Sequence, residues 1–312
     1  MNKVLLTGAS GFLGSAVAKE LWRHDYSVSV LLNRGSTWRL NMNGWKQAFD
    51  CYEVNLCNEE KLSKIVEKIN PDIIYHFAAN IASSSADSAE DDFQTNIIGT
   101  WNLLRALSCC DYKLFVNAGS SSEYGFKNIP MSEFDILNPN SYHSFSKGTQ
   151  TNLVQTYGLV EKHPVITLRF FSVYGPYERK NRLIPSVIDA CLNKKELKLS
   201  SPDVVRDFIY IDDVVNICTD VDKLIKHTGQ IFNIGTGTQT TIRKVVNIVS
   251  RLTNYSPICL WGQDKRSWDH SRWVSNCEKT IKILGWKYSV DIATGLENTI
   301  EWVRNYQRKD TL

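Results

Sequence analysis

The sequence has no long hydrophobic run, and this absence limits where the protein can reside. No segment of the 312 residues contains the roughly 20 consecutive apolar residues that span a bilayer. The first 14 residues, MNKVLLTGASGFLG, hold only a short apolar run. A signal peptide needs a longer apolar core followed by a cleavage site of small residues. We therefore expect a cytoplasmic protein without a membrane partner.

Paired cysteine motifs and an excess of charge are also absent. The eight cysteines form no CxxC pair, and the six histidines show no metal-ligand spacing beside them. We therefore expect reduced thiols rather than a disulfide framework, and no metal site. The formal net charge is only +3, and the lysines and arginines are spread along the chain. This charge is too small to indicate a nucleic-acid partner, although single arginines could bind a small anion.

What the sequence does contain is a regular alternation of short apolar runs and amphipathic stretches. Strands are predicted at 3–7, 28–32, 51–55, 73–78, 113–117 and 165–170. Helices are predicted at 12–22, at 59–69, at about 91–108 and across the segment NSYHSFSK at 140–147. Strands that alternate with helices at this spacing pair in parallel through right-handed crossovers. The predicted fold class is therefore α/β, with a Rossmann-type doubly wound parallel sheet.

The alternation becomes less regular after residue 171. Later elements include predicted helices at 184–193 and 212–225, strands at 208–211 and 230–235, and two helices that begin near 278 and 291. We predict a dinucleotide-binding domain over residues 1–170. Residues 171–312 are predicted to form mainly a smaller substrate lobe, with segments near 207–236 returning to the first sheet.

Three glycines, Gly8, Gly11 and Gly14, follow the first predicted strand and open the first predicted helix. A phosphate bound at a helix N-terminus needs free N–H groups and close approach to the backbone, which glycine permits. The spacing is GxxGxxG rather than GxGxxG, and a glycine run alone is often only a tight turn. Its place between a strand and a helix favours a dinucleotide-binding loop.

The end of the second predicted strand lacks the carboxylate that NAD sites place there to bind the ribose hydroxyls. Asn33 and Arg34 stand at this point instead. Arg34 could pair with a 2′-phosphate, which favours NADP(H) as the cofactor. NAD(H) stays possible, because Arg34 could equally be a surface residue of the loop.

Further motifs follow one another in order along nearly the whole chain. They are TGASGFLG at 7–14, HFAA at 76–79, TNIIGTWNLLRA at 95–106, AGSSSEYG at 118–125, SFSK at 144–147, LRFFSVYGP at 168–176, VRDFIYIDDVV at 205–215, NIGTG at 233–237 and WDHSRWVSNCEKTIKILGW at 268–286. Together they resemble the extended short-chain dehydrogenase/reductase family, which contains NAD(P)-dependent nucleotide-sugar epimerases, dehydratases and reductases.

The resemblance implies a set of cofactor-binding residues. They are Gly8, Gly11, Phe12, Leu13 and Gly14 at the pyrophosphate, Asn33 and Arg34 at the adenosine ribose, Asn55 and Leu56 at the adenine, Ala78 and Ala79 at the strand end under the cofactor's ribose, Lys147 also at the ribose, and Phe170 beside the nicotinamide. An aspartate is commoner in the family at the position of Asn55. The family also usually forms homodimers through helices that correspond to 91–108 and 144–160, and we expect a homodimer here.

The resemblance also implies a nucleoside diphosphate sugar as substrate. Its diphosphate carries two negative charges, which suit arginine side chains. Arg206 in VRDF stands at the family's diphosphate-binding position, and Arg266 stands where a second such arginine is common. Arg182 and Ser172 occupy positions where asparagine is frequent. Each arginine could instead be an ordinary surface residue.

Hydride transfer between a sugar and a nicotinamide requires a proton to move at the oxygen of the same carbon. In the family a tyrosine does this, with its pKa lowered by a lysine, and a serine or threonine hydroxyl assists. Ser120 and Lys147 match the hydroxyl and the lysine. Ser121 and Ser122 stand where sugar 4,6-dehydratases carry an Asp-Glu pair, so dehydration is not expected.

The motif AGSSSEYG looks most like the reductases that act on 4-keto-6-deoxy sugar nucleotides. The resemblance therefore favours an NADPH-dependent reductase of a nucleotide 4-keto sugar. The alternative is a nucleotide-sugar 4-epimerase that keeps NAD tightly bound.

The expected tyrosine is displaced, because the residue four positions before Lys147 is His143 and the tyrosine is Tyr142. Residues i and i+4 share a face of a helix, whereas i+5 does not. In the first interpretation, the segment before Ser144 is not helical and Tyr142 turns in as the acid. In the second, His143 serves, although nearby positive charge would keep it neutral and a poor proton donor. In the third, His143 leaves a nucleotide-sugar-binding protein with little turnover.

Overall fold

Fourteen short strands occur in the computed structural model, which describes residues 2–36, 44–80, 89–263 and 272–309. They are β1 (Lys3–Thr7), β2 (Ser27–Leu32), β3 (Asp50–Glu53), β4 (Ile73–His76), β5 (Leu114–Ser120), β6 (Val165–Phe170), β7 (Ser172–Tyr174), β8 (Leu197–Leu199), β9 (Val205–Arg206), β10 (Phe208–Tyr210), β11 (Ile231–Ile234), β12 (Thr240–Thr241), β13 (Cys259–Trp261) and β14 (Arg272–Trp273).

The α-helices of the described residues lie between and after these strands. They are α1 (Phe12–Arg23), α2 (Glu59–Ile69), α3 (Ala89–Phe93), α4 (Gly99–Leu107), α5 (Tyr142–Val160), α6 (Leu183–Leu192), α7 (Ile211–Thr219), α8 (Val221–Ile225), α9 (Ile242–Thr253), α10 (Glu278–Leu284) and α11 (Ile292–Lys309). A π-helical turn, Gln94–Ile98, joins α3 to α4.

Seven of the strands form one parallel sheet in the order β3-β2-β1-β4-β5-β6-β11. The chain builds outward from β1 to β3 and then crosses back to β4, so the strand order reverses between β1 and β4. Ligands of doubly wound sheets bind outside the carboxyl ends of the strands at such a point. The predicted fold class, a Rossmann-type doubly wound parallel sheet, is confirmed.

Apolar side chains cover both faces of this sheet, because successive residues of a strand point to opposite faces. In β1, Val4 and Leu6 belong to a core cluster that also contains residues of α1 and α7. Leu5, between them, belongs to a second cluster with residues of α2, α4 and α5. The continuous apolar runs that predicted the strands therefore reflect burial on two sides.

Several elements differ from the prediction. The single helix predicted over 212–225 is wrong: it is divided into α7 and α8 at Asp220, whose side chain accepts a hydrogen bond from the Lys223 backbone and caps α8. The helix predicted near 91–108 begins at Ala89 and is interrupted by the π-helical turn. The strand predicted over 73–78 ends at His76.

The described residues contain neither a candidate membrane-spanning helix nor a candidate metal-binding cluster. No helix in this part of the chain has the length and apolar character needed to cross a membrane. Within the same ranges, no three His, Cys, Asp or Glu side chains cluster in a way that could hold a metal ion.

Candidate active site

The loop between β1 and α1 brings the N-terminus of α1 tightly against neighbouring strand ends. Gly8 has a φ of +77°, and a Cβ atom there would lie 2.5 Å from the carbonyl carbon of Phe77. A Cβ at Gly14 would lie 2.3 Å from the oxygen of Gly8. Only glycine fits both positions. The loop therefore leaves backbone N–H groups and an open helix end at the strand edge, which fits the pyrophosphate of a dinucleotide.

His76 holds the end of β4 beside this loop. Its Nδ1 and Nε2 atoms each lie 2.8 Å from a threonine hydroxyl, those of Thr7 and Thr100. Thr100 donates its own proton to the Asn96 carbonyl, so it accepts from His76 Nε2, and Thr7 donates to Nδ1. Thr7 in turn accepts from the Ala78 backbone N–H. Burial lowers the pKa of His76 to about 3, so the ring is a neutral structural link.

The other residues predicted to bind the cofactor follow the carboxyl ends of parallel strands, at one edge of the sheet. Phe12 and Leu13 lie in the first turn of α1, Asn33 and Arg34 follow β2, Asn55 and Leu56 follow β3, Ala78 and Ala79 follow β4, and Phe170 ends β6. The Asn33 side chain accepts from the Arg34 backbone, and both residues are exposed. The Asn55 side chain accepts from the Cys57 backbone. Their contacts with a cofactor stay predictions.

Lys147 is buried and anchored to the centre of the sheet. Its Nζ donates to the Ala118 carbonyl of β5 at 2.6 Å and to the Gln150 side chain. Gln150 also donates to Asn117 of the same strand. Burial lowers the pKa of Lys147 to about 8, although Glu123 opposes this shift. The lysine is thus fixed by the helix and the strand that the prediction placed around it.

The serines at the end of β5 form a compact turn. Ser120 Oγ accepts from the Ser122 backbone at 3.1 Å, and the two hydroxyls lie 2.8 Å apart. Ser121 accepts from the indole N–H of Trp273 at 2.8 Å. A hydroxyl therefore lies at the sheet edge where the resemblance requires one.

Glu123, in the same turn, is fully buried and has several partners. Its carboxylate accepts from Arg169 Nε at 2.8 Å, from the Thr151 hydroxyl at 3.0 Å and from the Ser120 backbone at 2.6 Å. A carboxylate with these partners stabilises the turn. It therefore holds Ser120 in place instead of serving as an acid.

His143 lies one helical turn before Lys147. Helix α5 begins at Tyr142, with Ser141 as its N-cap. Tyr142 is therefore helical and 49% exposed, and the condition of the first interpretation, a non-helical segment before Ser144, is not met.

The His143 ring is largely buried, and its Nδ1 has no hydrogen-bond partner among the described residues. The nearest carboxylate oxygen, Asp92 Oδ2, is 4.0 Å from this nitrogen. Burial, with the charges of Lys147 and Arg182, lowers the pKa of His143 to about 4, and the backbone of Asn80 partly offsets this. The imidazole is neutral at neutral pH.

Two of the three arginines predicted to bind substrate lie within the described residues. Arg206, in β9, lies 5.9 Å from the centre of the Trp273 ring, and Trp273 contacts Ser121. Arg182 precedes α6, and its Nε is 3.6 Å from Glu178 Oε1. Arg266 lies outside the described residues.

Ser172, in β7, donates its backbone N–H to the Asp207 carbonyl. The Asp207 carboxylate accepts from the backbones of Thr236, Gly237 and Ser275. These bonds fix Asp207, the residue after Arg206, to β7, to the loop after β11 and to the segment after β14.

Two buried carboxylates near these residues were not identified from the sequence. Asp92 is 1% exposed beside His143. Glu178 has one oxygen buried without a hydrogen-bond partner in the described part of the chain, and burial raises its pKa to about 8. In the sequence each lies among other charged residues, as in AEDDF and YERKNR, which is typical of an exposed segment.

Comparisons with known proteins identify the family of the chain. The model of the NAD dependent epimerase/dehydratase family matches residues 4–235. The chain is 28% identical to the dTDP-D-glucose 4,6-dehydratase of Dictyostelium discoideum, over 98% of this chain and 82% of the relative.

Two solved structures are similar over nearly the whole fold. One is the UDP-glucose 4-epimerase of Thermotoga maritima with UDP-glucose, at 26% identity and a TM-score of 0.89, covering 98% of this chain and 99% of that one. The other is the UDP-glucuronic acid 4-epimerase of Bacillus cereus with UDP-glucuronic acid and NAD, at 25% identity and a TM-score of 0.87, covering 97% and 99%. The chain belongs to the NAD-dependent epimerase/dehydratase family and is an enzyme of the extended short-chain dehydrogenase/reductase group that its motifs predicted.

Proposed function

We propose that the protein is an NAD-dependent nucleotide-sugar 4-epimerase whose cycle begins with the oxidation of a sugar hydroxyl. The observation that carries this proposal is the state of His143, a neutral imidazole one helical turn from a buried lysine. Two similar solved structures are 4-epimerases, and one of them holds NAD.

A neutral imidazole can accept a proton but is a poor donor. With its pKa lowered to about 4, His143 is ready to take the proton of a hydroxyl when that hydroxyl is oxidised. A reductase needs the opposite state at the start, because its carbonyl substrate must receive a proton. The protonation state of His143 therefore favours oxidation as the first step.

The chain's own residues divide the remaining tasks. When bound, NAD supplies the acceptor and later the donor of the hydride. Ser120 binds the reacting oxygen through its hydroxyl, and Lys147 binds the cofactor's ribose and sets the local charge. His143 returns the proton once the intermediate has presented its other face, and the net reaction inverts one carbon.

Dehydration is disfavoured by the residues after Ser120. The elimination of water needs an acid next to the reacting sugar, and Ser121 and Ser122 supply only hydroxyls. Glu123 is occupied by Arg169, Thr151 and the Ser120 backbone. The chain therefore shares its fold and its proposed cofactor with a dehydratase, but it lacks the acid that dehydration needs.

The proposed substrate is a nucleoside diphosphate hexose held by the second half of the chain, residues 171–312. Arg206 is the proposed partner of the diphosphate, because it lies beside Trp273 and close to the serine turn. Arg182 is the proposed second contact, because its charge already acts on His143.

A reductase that uses NADPH is the second candidate. It is favoured by the residues after β2. Asn33 and Arg34 are exposed there and stand in place of the acidic residue that binds the ribose hydroxyls in NAD sites. Arg34 would then pair with a 2′-phosphate. In this case the cofactor would exchange at every turnover and would not co-purify with the protein.

A homodimer through α3–α4 and α5 also stays a proposal. It is supported by large apolar side chains that these helices expose, among them Trp101, Phe145 and Leu159. Such groups are commonly covered when helices pack between subunits.

The test begins with the purified protein and its bound dinucleotide. The protein is denatured, the released dinucleotide is identified by mass spectrometry, and fresh protein is incubated with UDP- and dTDP-hexoses while NMR follows the configuration at C4. Tightly held NAD and interconversion of the C4 epimers without added cofactor are the expected results. Consumption of added NADPH with a 4-keto sugar would establish the reductase instead.

A comparison with His143→Tyr addresses the third interpretation. If this variant turns over hexoses orders of magnitude faster than the wild type, the natural sequence is an impaired enzyme that mainly binds nucleotide sugars. If the wild type is the faster protein, His143 is the working base.

A further inference from the structure

Asp92 is placed beside His143 by packing between α3 and the first turn of α5. It is almost completely buried in the short helix α3. The ring of the next residue, Phe93, meets Tyr142 and Phe145 edge-on, with centroids 6.2 and 5.8 Å apart. These contacts dock α3 on the first turn of α5, and they bring Asp92 Oδ2 to 4.0 Å from His143 Nδ1.

The backbone of His143 is fixed from the same side. Asn96, in the π-helical turn after α3, donates to Ser146 Oγ at 2.9 Å. Ser146 Oγ in turn donates to the His143 carbonyl at 2.9 Å. Asn96 also pairs with both backbone groups of Asn80. The helix that carries Asp92 and the turn that carries His143 are therefore held in register by side-chain bonds as well as by packing.

The charges around His143 are predominantly positive. Lys147 lies on its own helix, and Arg182, which is paired with Glu178, acts on it from the segment before α6. A proton that arrives on the imidazole would meet these charges. Asp92 is the carboxylate nearest to the ring among the described residues. A negative charge beside an imidazole favours its protonated form.

We propose that Asp92 and His143 act as a carboxylate–imidazole pair, in which Asp92 accepts a hydrogen bond from Nδ1–H and leaves Nε2 to take the substrate proton. This inference rests on the proposed function. During oxidation the O–H bond of the hydroxyl breaks and its proton moves to Nε2, while the hydride on the same carbon leaves for the nicotinamide. Asp92 stays ionised and is a positioning residue, since it acts through His143.

The pair needs only a small movement to close. A hydrogen bond requires the two atoms to lie about 1 Å nearer than they do. Catalytic hydrogen bonds are often long before substrate binds and shorten in the complex. Closure would fix the tautomer of the ring and make the imidazole a stronger base.

The carboxylate of Asp92 has opposite effects on a histidine and on a tyrosine at position 143. A tyrosine that serves as a base must ionise to a phenolate, and a buried carboxylate beside it would oppose that ionisation. Asp92 therefore helps a histidine and hinders a tyrosine. A purely structural aspartate would be needed equally with either residue.

The experiment combines two substitutions in one cycle. Turnover of the hexose substrate is measured for the wild type, Asp92→Asn, His143→Tyr and the double variant. We expect Asp92→Asn to lower kcat about 100-fold in the wild-type background and to raise kcat when it is combined with His143→Tyr. Asp91→Asn, which changes the exposed neighbour on the same helix, is the matched control and should leave kcat unchanged.

A second readout does not depend on turnover. The pKa of His143 is followed by NMR of protein labelled with ¹⁵N-histidine, with His143→Gln used to assign its signal. Asp92→Asn should lower the pKa of His143 by about one unit or more, and Asp91→Asn should not. If Asp92→Asn does not fold, Asp92→Ala takes its place, with the same expectations.

The outcomes are distinct. A loss of kcat in both backgrounds, or an unchanged pKa of His143, would overturn the pair and leave the epimerase proposal standing. A lowered pKa in a protein that converts no hexose would support the pair and reject the proposed reaction.

Discussion

His76 is a buried imidazole and His143 a half-buried one near the same edge of the sheet, and they have different surroundings. Burial lowers the pKa of both, to about 3 and about 4. Both ring nitrogens of His76 have a threonine partner. His143 has a nitrogen without a partner among the described residues, and it is surrounded by charged side chains. A histidine with both nitrogens engaged can only support the structure, whereas one with an available nitrogen can move a proton.

The largest effect is expected at His143 itself. His143→Gln removes the only group at this position that can take a proton, so kcat should fall about 1000-fold, while the protein keeps its dinucleotide. Turnover and dinucleotide content are measured on the same preparations, with the exposed His24→Gln as control. A loss of less than tenfold would remove His143 from the mechanism and weaken the contrast with His76.

At His76 the expected effect is on stability. His76→Asn cannot reach both threonines, and Thr7 and Thr100 would each lose a buried partner. The free energy of unfolding should fall by about 2–3 kcal/mol, measured by urea denaturation. The pH at which turnover declines should not move, because His76 exchanges no proton with substrate. A shifted pH profile would mean that the two histidines are not separate in function.

The loss of stability caused by His76→Asn should also depend on pH. The pKa of His76 is about 3 in the folded protein and about 6.5 in an unfolded chain, so the unfolded state binds more protons between these values. As pH falls through this window, wild-type stability is lost at about 1.4 kcal/mol per pH unit from this histidine alone. His76→Asn lacks this loss. The destabilisation it causes should therefore shrink from pH 7 to pH 4, as followed by urea denaturation at each pH.

A smaller effect is expected at Glu178, the buried carboxyl that pairs with Arg182 near His143. Its pKa is raised to about 8, so its contribution to stability is fully present below about pH 4.5 and is lost as pH rises through 8. Glu178→Gln cannot ionise and should be more stable than the wild type by about 1 kcal/mol at pH 9. The exposed Glu196→Gln is the control. An equal or lower stability of Glu178→Gln at pH 9 would show that Arg182 satisfies the carboxylate.

Local patterns in the sequence predicted the fold class and the tight turn between β1 and α1. Strands buried on both faces are continuous apolar runs, and Gly14 is required by a contact with the backbone of Gly8, which is close to it in the chain. Lys147 could be placed because its motif is short. In each case the cause lies within a few residues of the effect.

The pairing of charged residues could not be predicted, because it depends on positions that are far apart in the chain. Asp92 lies 51 positions before His143 and reads as part of an acidic, exposed helix. The buried partner of Glu123 is Arg169, which lies 46 positions away on β6. The interruption of 91–108 by a π-helical turn leaves no pattern in the apolar residues.

That turn connects the two histidines. Thr100, which holds His76, and Asp92, which lies beside His143, belong to one continuous helical stretch on either side of residues 94–98. A regular α-helix advances about 100° per residue, so the loss of one residue from this segment would rotate Asp92 away from His143 while Thr100 kept its place. Point substitutions can alter either histidine independently, but an insertion or deletion here would shift the surroundings of His143 relative to those of His76. The length of this short segment is therefore under a constraint that its side chains do not reveal.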